Sequence, residues 1–392
     1  MMEKIFGIIG MILCIGITYL LSDRKKEINW ISVGGAFIGQ IVLGFLLLKT
    51  PLWKVVQLMG KGVSWLLLQA NEGINFVFGG IAPDGFVFFI NSLLPIVFIS
   101  SLMGLLFHYG IIQKFVSIIG KIVAQVLQVD ILVATNAVTN MFLGQTDALF
   151  MTKSYLPTAS QSAIFAMMVS GMCSISVSVL GLYTSYGADM AMLIVSMPLS
   201  VCSAFVLTQI LMPTKYEKIE NLQIDTSDKG VNAIETMVNY GTTGFKSCVG
   251  IAISLMIFLS AIAMVNNFIG LIFSGITLEV IIGYLFTPFA FLMGVPRAEV
   301  MEMAQILATK LITNEAVAYG LPQFAEFSIR AKAMATVALA GFTGIGSIGI
   351  FIGGMSAIAP GQVKTVARIG VKALLTASAV CMVTGSVVGL FL

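Results

Sequence analysis

Gln145, Thr146 and Asp147 stand side by side in LGQTDALFMTK, residues 143–153, between runs of Ile, Val, Leu, Met and Phe. Thr146 and Asp147 can cap the start of a helix. A ligand-binding role accounts for the adjoining Gln145 as well. A second polar island, Thr309-Lys310 and Thr313-Asn314-Glu315, interrupts another apolar stretch. A carboxylate at the centre of a membrane helix costs roughly 2.5–3.5 kcal/mol on insertion scales. Glu315 must therefore be paired, wetted or bound to a ligand. A salt bridge to Lys310 is one solution; a substrate or cavity is the other, and intramembrane ionisable residues mark such sites by default.

Asn140, Ser174 and Ser176 offer the oxygens a hard cation such as sodium takes from amides, hydroxyls and unwound carbonyls. For the serines, close helix–helix packing is the alternative. Gly341, Gly344, Gly346 and Gly349 allow either close helix approach or an unwound segment. Phe342 beside them is a core residue or a face for a ring. His108 ends an apolar run and reads as interfacial, while Lys153 and Lys310 read as tip or snorkelling charges. No nucleophile–base–orienter set suggests catalysis. Gly341-Phe342-Thr343-Gly344-Ile345-Gly346 has no strand before it, so it is not a phosphate loop. One histidine and five dispersed cysteines give no metal-ligand spacing.

The setting of these residues is a bilayer. Of 392 residues, 58% are hydrophobic and only 10% charged, and the mean hydropathy is +1.00. Soluble domains carry about 25% charged residues. The net charge of +3 is scattered, leaving no basic footprint for nucleic acid. The first apolar run, 5–21, is followed rather than preceded by Arg24-Lys25-Lys26, which reads as an N-terminus outside and a first helix running inward. With that orientation Lys114, Lys121, Lys215, Lys218, Lys229, Lys364, Arg368 and Lys372 fall inside. Lys54, Lys61, Arg297, Arg330 and Lys332 fall outside.

Hydropathy predicts an all-α polytopic protein with eight transmembrane helices near 4–21, 31–49, 86–107, 160–183, 188–212, 246–274, 332–354 and 369–391. Segments 51–79 and 110–128 are amphipathic and read as interfacial helices. Asn71-Glu72-Gly73 and Pro83-Asp84-Gly85 are turn chemistry between helices. Residues 213–240 form the one clearly soluble stretch. Stretches 131–157 and 298–321 are apolar at both ends and polar in the middle. Each half is too short for a bilayer core of about 30 Å, so each reads as a re-entrant hairpin with a polar tip. Each precedes an interrupted span, and Gln145–Ser174 and Glu315–Gly344 share one separation. Two oppositely oriented hairpins in an inverted repeat follow, with a binding site near the midplane.

The sequence is similar to the concentrative nucleoside transporter family, of the bacterial nucleoside permease type, over nearly the whole chain. ANEGINFVFG (70–79), LGQTDALF (143–150), GVPRAE (294–299), ATKLITNEAVAY (308–319) and GFTGIGSIGI (341–350) carry the likeness. The resemblance implies a homotrimer whose protomers each hold a scaffold and a moving transport domain, worked elevator-fashion. The scaffold would be 1–109 and 246–279. A cytoplasmic linker would occupy 213–245. The transport domain would combine 110–212, containing hairpin 131–157 and broken helix 160–183, with 280–392, containing hairpin 298–321 and broken helix 332–354.

By the same resemblance, Gln145, Thr146 and Asp147 recognise the nucleobase. Glu315 accepts from ribose hydroxyls, Ser347 makes a second ribose contact, and Phe342 lines the base pocket. Asn140, the Leu143 carbonyl, Ser174 and the Ile175 carbonyl hold sodium. Proton-coupled relatives lack that asparagine and serine, which directs the reading to sodium, with proton use at Asp147 or Glu315 left open. Asp147 stands where the family has Glu. Gly344 stands where it usually has a ribose-contacting Asn, and Gly346 replaces a common serine. The expectation is a sodium-driven nucleoside importer of the inner (plasma) membrane with both termini outside and no cofactor. A proton-coupled importer, or one for a modified nucleoside, is the alternative. A passive channel has no need of paired hairpins, and an enzyme lacks its catalytic set.

Overall fold

The computed structural model describes residues 2–81, 87–215, 229–273 and 275–392. Pro83-Asp84-Gly85 and Lys218 lie outside the described residues. Every regular element described is helical. Seven helical stretches are long and apolar enough to cross a membrane: Met2–Leu20, Trp30–Lys49, Phe89–His108, Gln161–Ser185, Met190–Leu211, Ala233–Ile272 and Pro360–Phe391. They match seven of the eight expected spans. The eighth, 332–354, is two shorter helices, Ile329–Leu339 and Gly346–Ile358. Gln161–Ser185 is itself interrupted. Its helix ends at Cys173, residues 174–176 are extended, and helix resumes at Leu180–Ser185.

Local chemistry sets these boundaries. The side chains of Asn29, Asp130, Ser160, Asp189, Asn232, Thr277 and Ser328 each accept a backbone N–H one to three residues on, at a helix start. Asn232 starts Ala233–Ile272 inside the segment expected as linker, so a polar stretch becomes the first turns of a 40-residue helix. Ile111–Leu127 buries Ile112, Val116, Gly120, Ala124 and Leu127, one stripe of a helix. Leu52–Phe78 buries only Val56, Gly60 and Ala70 and runs as helix through Asn71-Glu72-Gly73, which overturns the turn expected there. Leu278–Leu292 is an apolar helix of 15 residues that hydropathy had not separated as a span.

Packing follows a pattern used twice. Ile111–Leu127 lies against Ile131–Leu143, and Leu278–Leu292 lies against Val300–Ile312. Gln161–Cys173 packs on Val363–Phe391, and Ile329–Leu339 packs on Met190–Leu211. The short helix Gln145–Met151 meets Gly346–Ile358, while Glu315–Tyr319 meets Leu180–Ser185. A separate pair, Pro95–His108 with Ala233–Ile272, closes at Gly104 and Gly244, where added Cβ atoms would meet Tyr240 at 2.6 Å and Ser100 Oγ at 2.7 Å. There the His108 Nδ1 lies 2.9 Å from Thr236 Oγ1.

Polar contacts sort the chain ends into two groups. Arg330 donates to the Gly389 carbonyl at 2.6 Å and pairs with Glu3 at 3.8 Å, Lys4 donates to the Leu390 carbonyl at 2.9 Å, and Ser328 donates to Glu299. Elsewhere, Lys372 pairs with Asp23 at 2.5 Å, Gln362 donates to the carbonyls of 156, 157 and 159, and Asn29 donates to Gln128.

The two broken helices touch at their interruptions. A Cβ added to Gly341 would lie 2.7 Å from the carbonyl carbon and oxygen of Cys173. Those are backbone atoms and cannot swing aside. Gly341→Ala should therefore cost about 1–3 kcal/mol by overpacking and lower the thermal midpoint of the detergent-purified protein. Gly353→Ala, with nothing within 4 Å of its added Cβ, should leave the midpoint unchanged.

Candidate functional site

Helix Ile131–Leu143 ends because Gly144 takes φ +99, a backbone that favours glycine, while its N–H bonds the Asn140 carbonyl at 3.1 Å. Gln145–Met151 starts at once. Its N-cap is Gly144, which has no side chain to cap with. Asp147 lies in the first turn and is half-buried. Thr146 faces the second broken helix, its Cγ2 3.5 Å from where a Gly354 Cβ would sit. Gln145 faces the first broken helix, its Cβ 3.3 Å from a Cβ placed on Gly171. Gln145 is buried, and its Oε1 has no hydrogen-bond partner.

Asn140 reaches the same turn. Fully buried, it donates through Nδ2 to the Ser170 and Gly171 carbonyls, each at 3.4 Å, and to Ser174 Oγ. Ser174 in turn donates to the Ser170 carbonyl at 2.8 Å. The Asn140 Oδ1 has no partner. A buried amide oxygen left open normally costs about 1–3 kcal/mol, so two of them beside one helix break mark a place built to accept something. Leu143 ends a helix and Ile175 lies in the extended break. Helix geometry leaves carbonyls without an in-helix donor at such ends. Ser176 bonds Ser178 at 2.7 Å instead.

The second tip is built differently. Asn314 accepts from the Val317 N–H at 3.0 Å and so caps Glu315–Tyr319. Glu315 is buried, and its Oε1 accepts from the Tyr183 hydroxyl at 3.0 Å. Tyr183 stacks on Tyr319 with centroids 4.8 Å apart, and Tyr319 donates to the Thr336 carbonyl at 2.6 Å. Lys310 is 2% exposed and donates to the Ala338 carbonyl at 2.8 Å. The Lys310–Glu315 staple considered from sequence is therefore replaced by Tyr183–Glu315. Tyr183 was not singled out in the sequence; it is 132 positions from Glu315 and sits in an apolar run.

Residues 340–345 cross between these groups. The Ile345 N–H bonds the Leu311 carbonyl at 3.2 Å, and the Ser347 N–H bonds the Gly344 carbonyl at 3.0 Å. Ser347 is buried, and Phe342 is half-buried against the apolar core that contains Tyr183 and Tyr319. Gly344 lies hard against the tip, where an added Cβ would be 2.5 Å from the Thr313 carbonyl oxygen. The fold thus gathers Asn140, Gln145 and Ser174 on one side of the Gly341–Cys173 contact, and Glu315, Gly344 and Tyr183 on the other.

Three family signatures cover this architecture. That of the Na+ dependent nucleoside transporter C-terminus matches residues 192–389, that of its N-terminus matches 9–81, and that for nucleoside recognition matches 89–190. The chain belongs to the concentrative, Na+-dependent nucleoside transporter family. It is a membrane transporter, not an enzyme. The nucleoside permease NupC of Helicobacter pylori is 30% identical, covering 100% of this chain and 98% of that protein. The transporter CNTnw, solved in an inward-facing substrate-bound state, superposes with a TM-score of 0.92 at 32% identity, over 99% of this chain and 98% of its own. A CNTnw variant in an outward-facing state gives 0.93 at 31%, over 100% and 99%. Inward- and outward-facing forms of one fold imply alternating access.

Gly344 sits where an added Cβ would meet the Thr313 carbonyl oxygen at 2.5 Å. Any side chain there must displace the Thr313 carbonyl. Gly344→Asn should weaken nucleoside binding about tenfold or more, equivalent to ~1.4 kcal/mol, as measured by titration calorimetry. Tighter ribonucleoside binding would show that the tip yields and the asparagine contact is restored.

Proposed function

We propose that this chain imports nucleosides together with sodium, by an elevator-type movement of a transport domain against a trimeric scaffold. The observation that carries the reading is the pair of partnerless buried acceptors, Asn140 Oδ1 and Gln145 Oε1, beside the break at 174–176. The first is placed for a cation and the second for a base edge, which presents donors.

In this reading sodium is cargo. Asn140, Ser174 and the carbonyls of Leu143 and Ile175 would bind it, and the site's chemistry suits it: neutral oxygens at a helix C-terminal end. Gln145, Thr146 and Asp147 would take the nucleobase, Glu315 and Ser347 the ribose, and Phe342 the face of the base. Because Asn140 and Gln145 share one tip, filling the ion site would organise the base site. By linkage, nucleoside must raise sodium affinity by the same factor. Low cytoplasmic sodium then favours release.

The paired segments 131–157 and 298–321 are read as re-entrant hairpins in an inverted repeat. Two observations support this. The short second helix of each segment packs on the broken helix of the other half, Gln145–Met151 on Gly346–Ile358 and Glu315–Tyr319 on Leu180–Ser185. Both ends of the first hairpin belong to the contact group of Asn29, Gln128 and Gln362, and both ends of the second to that of Glu299, Ser328 and Arg330. The basic residues Arg24, Arg368 and Lys372 fall with the first group, which would be the cytoplasmic side of an inner (plasma) membrane, with both termini outside.

The scaffold, 1–109 and 246–279, would centre on the pair Pro95–His108 and Ala233–Ile272. Only 11% of the most apolar window of the latter helix is buried within one chain, which suits lipid and partner subunits. The moving unit, 110–212 and 280–392, would be joined through 213–245.

Labelled uridine or adenosine should accumulate in proteoliposomes under an inward sodium gradient and not under choline. Uptake driven by acid outside and indifferent to sodium would replace sodium with protons; unsaturable, gradient-independent flux would indicate a channel. Glu315→Gln should lower nucleoside affinity by about 30- to 100-fold, the worth of a charged hydrogen bond, in a protein that still elutes as the native oligomer. Unchanged affinity would remove Glu315 from the site.

A further inference from the structure

In the doubled fold read above, a shift of 170 residues carries Gln145 onto Glu315, Gly171 onto Gly341 and Ser174 onto Gly344. The same shift carries Asn140 onto Lys310. The two side chains do matching things. Asn140 leaves the last turn of Ile131–Leu143 and reaches the Ser170 and Gly171 carbonyls, near the C-terminal end of Gln161–Cys173. Lys310 leaves the last turn of Val300–Ile312 and reaches the Ala338 carbonyl, near the C-terminal end of Ile329–Leu339.

Helix C-termini carry partial negative charge and carbonyls without in-helix donors. Gly341 lies against the Cys173 carbonyl, so these two negative ends adjoin in a buried place. Each end gains from a cation. In the first repeat the neutral Asn140 has an open oxygen, and the charge must come from outside. In the second, Lys310 is 2% exposed and brings an ammonium on its own stem. Its ammonium attracts the Glu315 carboxylate, but its hydrogen bond goes to the Ala338 carbonyl, while Glu315 is bonded by Tyr183. Both side chains reach carbonyls within the last turn of the helix they meet.

We propose that Lys310 is a tethered substitute for a coupling ion, supplying to the helix end of the second repeat the positive charge that sodium would bring to the first. The second tip and its broken helix stay organised without sodium, and one dissociable ion site remains. Lys310 is thus a positioning residue: it sets how many ions couple to transport without touching the nucleoside. This rests on the sodium site proposed at Asn140.

The test uses the full chain, with nucleoside affinity measured by calorimetry across a sodium series balanced with choline. Lys310→Asn should give the second repeat the neutral amide of the first and leave its helix end in need of a cation, so that the sodium dependence steepens from first order towards second. Lys310→Met, which keeps the stem and loses the charge, should bind nucleoside weakly at every sodium concentration. Asn140→Lys should do the reverse, binding nucleoside to the same extent with and without sodium. A first-order dependence in Lys310→Asn, or sodium-dependent binding in Asn140→Lys, overturns the proposal. So does an Asn140→Lys protein that fails to fold or to bind. Wild-type binding that ignores sodium would instead overturn the ion site itself.

Discussion

The structure turns on helices that stop partway through an apolar layer. Each such end frees backbone groups that neither lipid nor a following turn can satisfy, at several kcal/mol apiece if left open. The chain answers them locally. The Gly144 N–H turns back to the Asn140 carbonyl, and the Ile345 N–H crosses to the Leu311 carbonyl. Asn314 caps the second short helix. Asn140 and Lys310 supply donors to carbonyls near the two helix ends. At the tips themselves, the open acceptors that remain among the described residues are Asn140 Oδ1 and Gln145 Oε1, both on the first; Thr336 Oγ1 and Gln323 Oε1 lie open elsewhere in the second repeat.

That asymmetry distinguishes the two halves. The open acceptors of the first tip belong to neutral amides, with the Asp147 carboxylate in the same short helix. The second is completed from within, by a lysine and by a tyrosine donating to a carboxylate. Contact between the halves at Gly341 and Cys173 is backbone against backbone. A change at one break therefore cannot be absorbed by a side-chain rotation, and the two sites are mechanically joined.

Much of this was legible in the linear chain. Long apolar runs located seven spans, because a membrane helix must be apolar along its whole length. The interruptions at 174–176 and 340–345 were visible as serine and glycine clusters, since small and hydroxylic residues are what broken membrane helices tolerate. Glu315 stood out because a buried carboxylate is costly. Other features left no trace. Leu278–Leu292 is too short for a hydropathy window, and Ala233–Ile272 starts in polar sequence because its first turns depend on the Asn232 cap. Tyr183 reads as one more aromatic in an oily helix, and its role appears only when the fold carries it to Glu315.

The sequence by itself determined that the chain is a helical membrane protein, where most of its spans run, and which polar residues sit too deep to be incidental. Those are matters of composition and local periodicity, each settled within about 20 residues. Only the tertiary structure decided who partners whom: Tyr183 rather than Lys310 with Glu315, Lys310 with Ala338, Gly344 pressed on Thr313, and two amide oxygens left open. A hydrogen bond requires approach to about 3 Å, and no local pattern encodes the distance between residues more than a hundred positions apart.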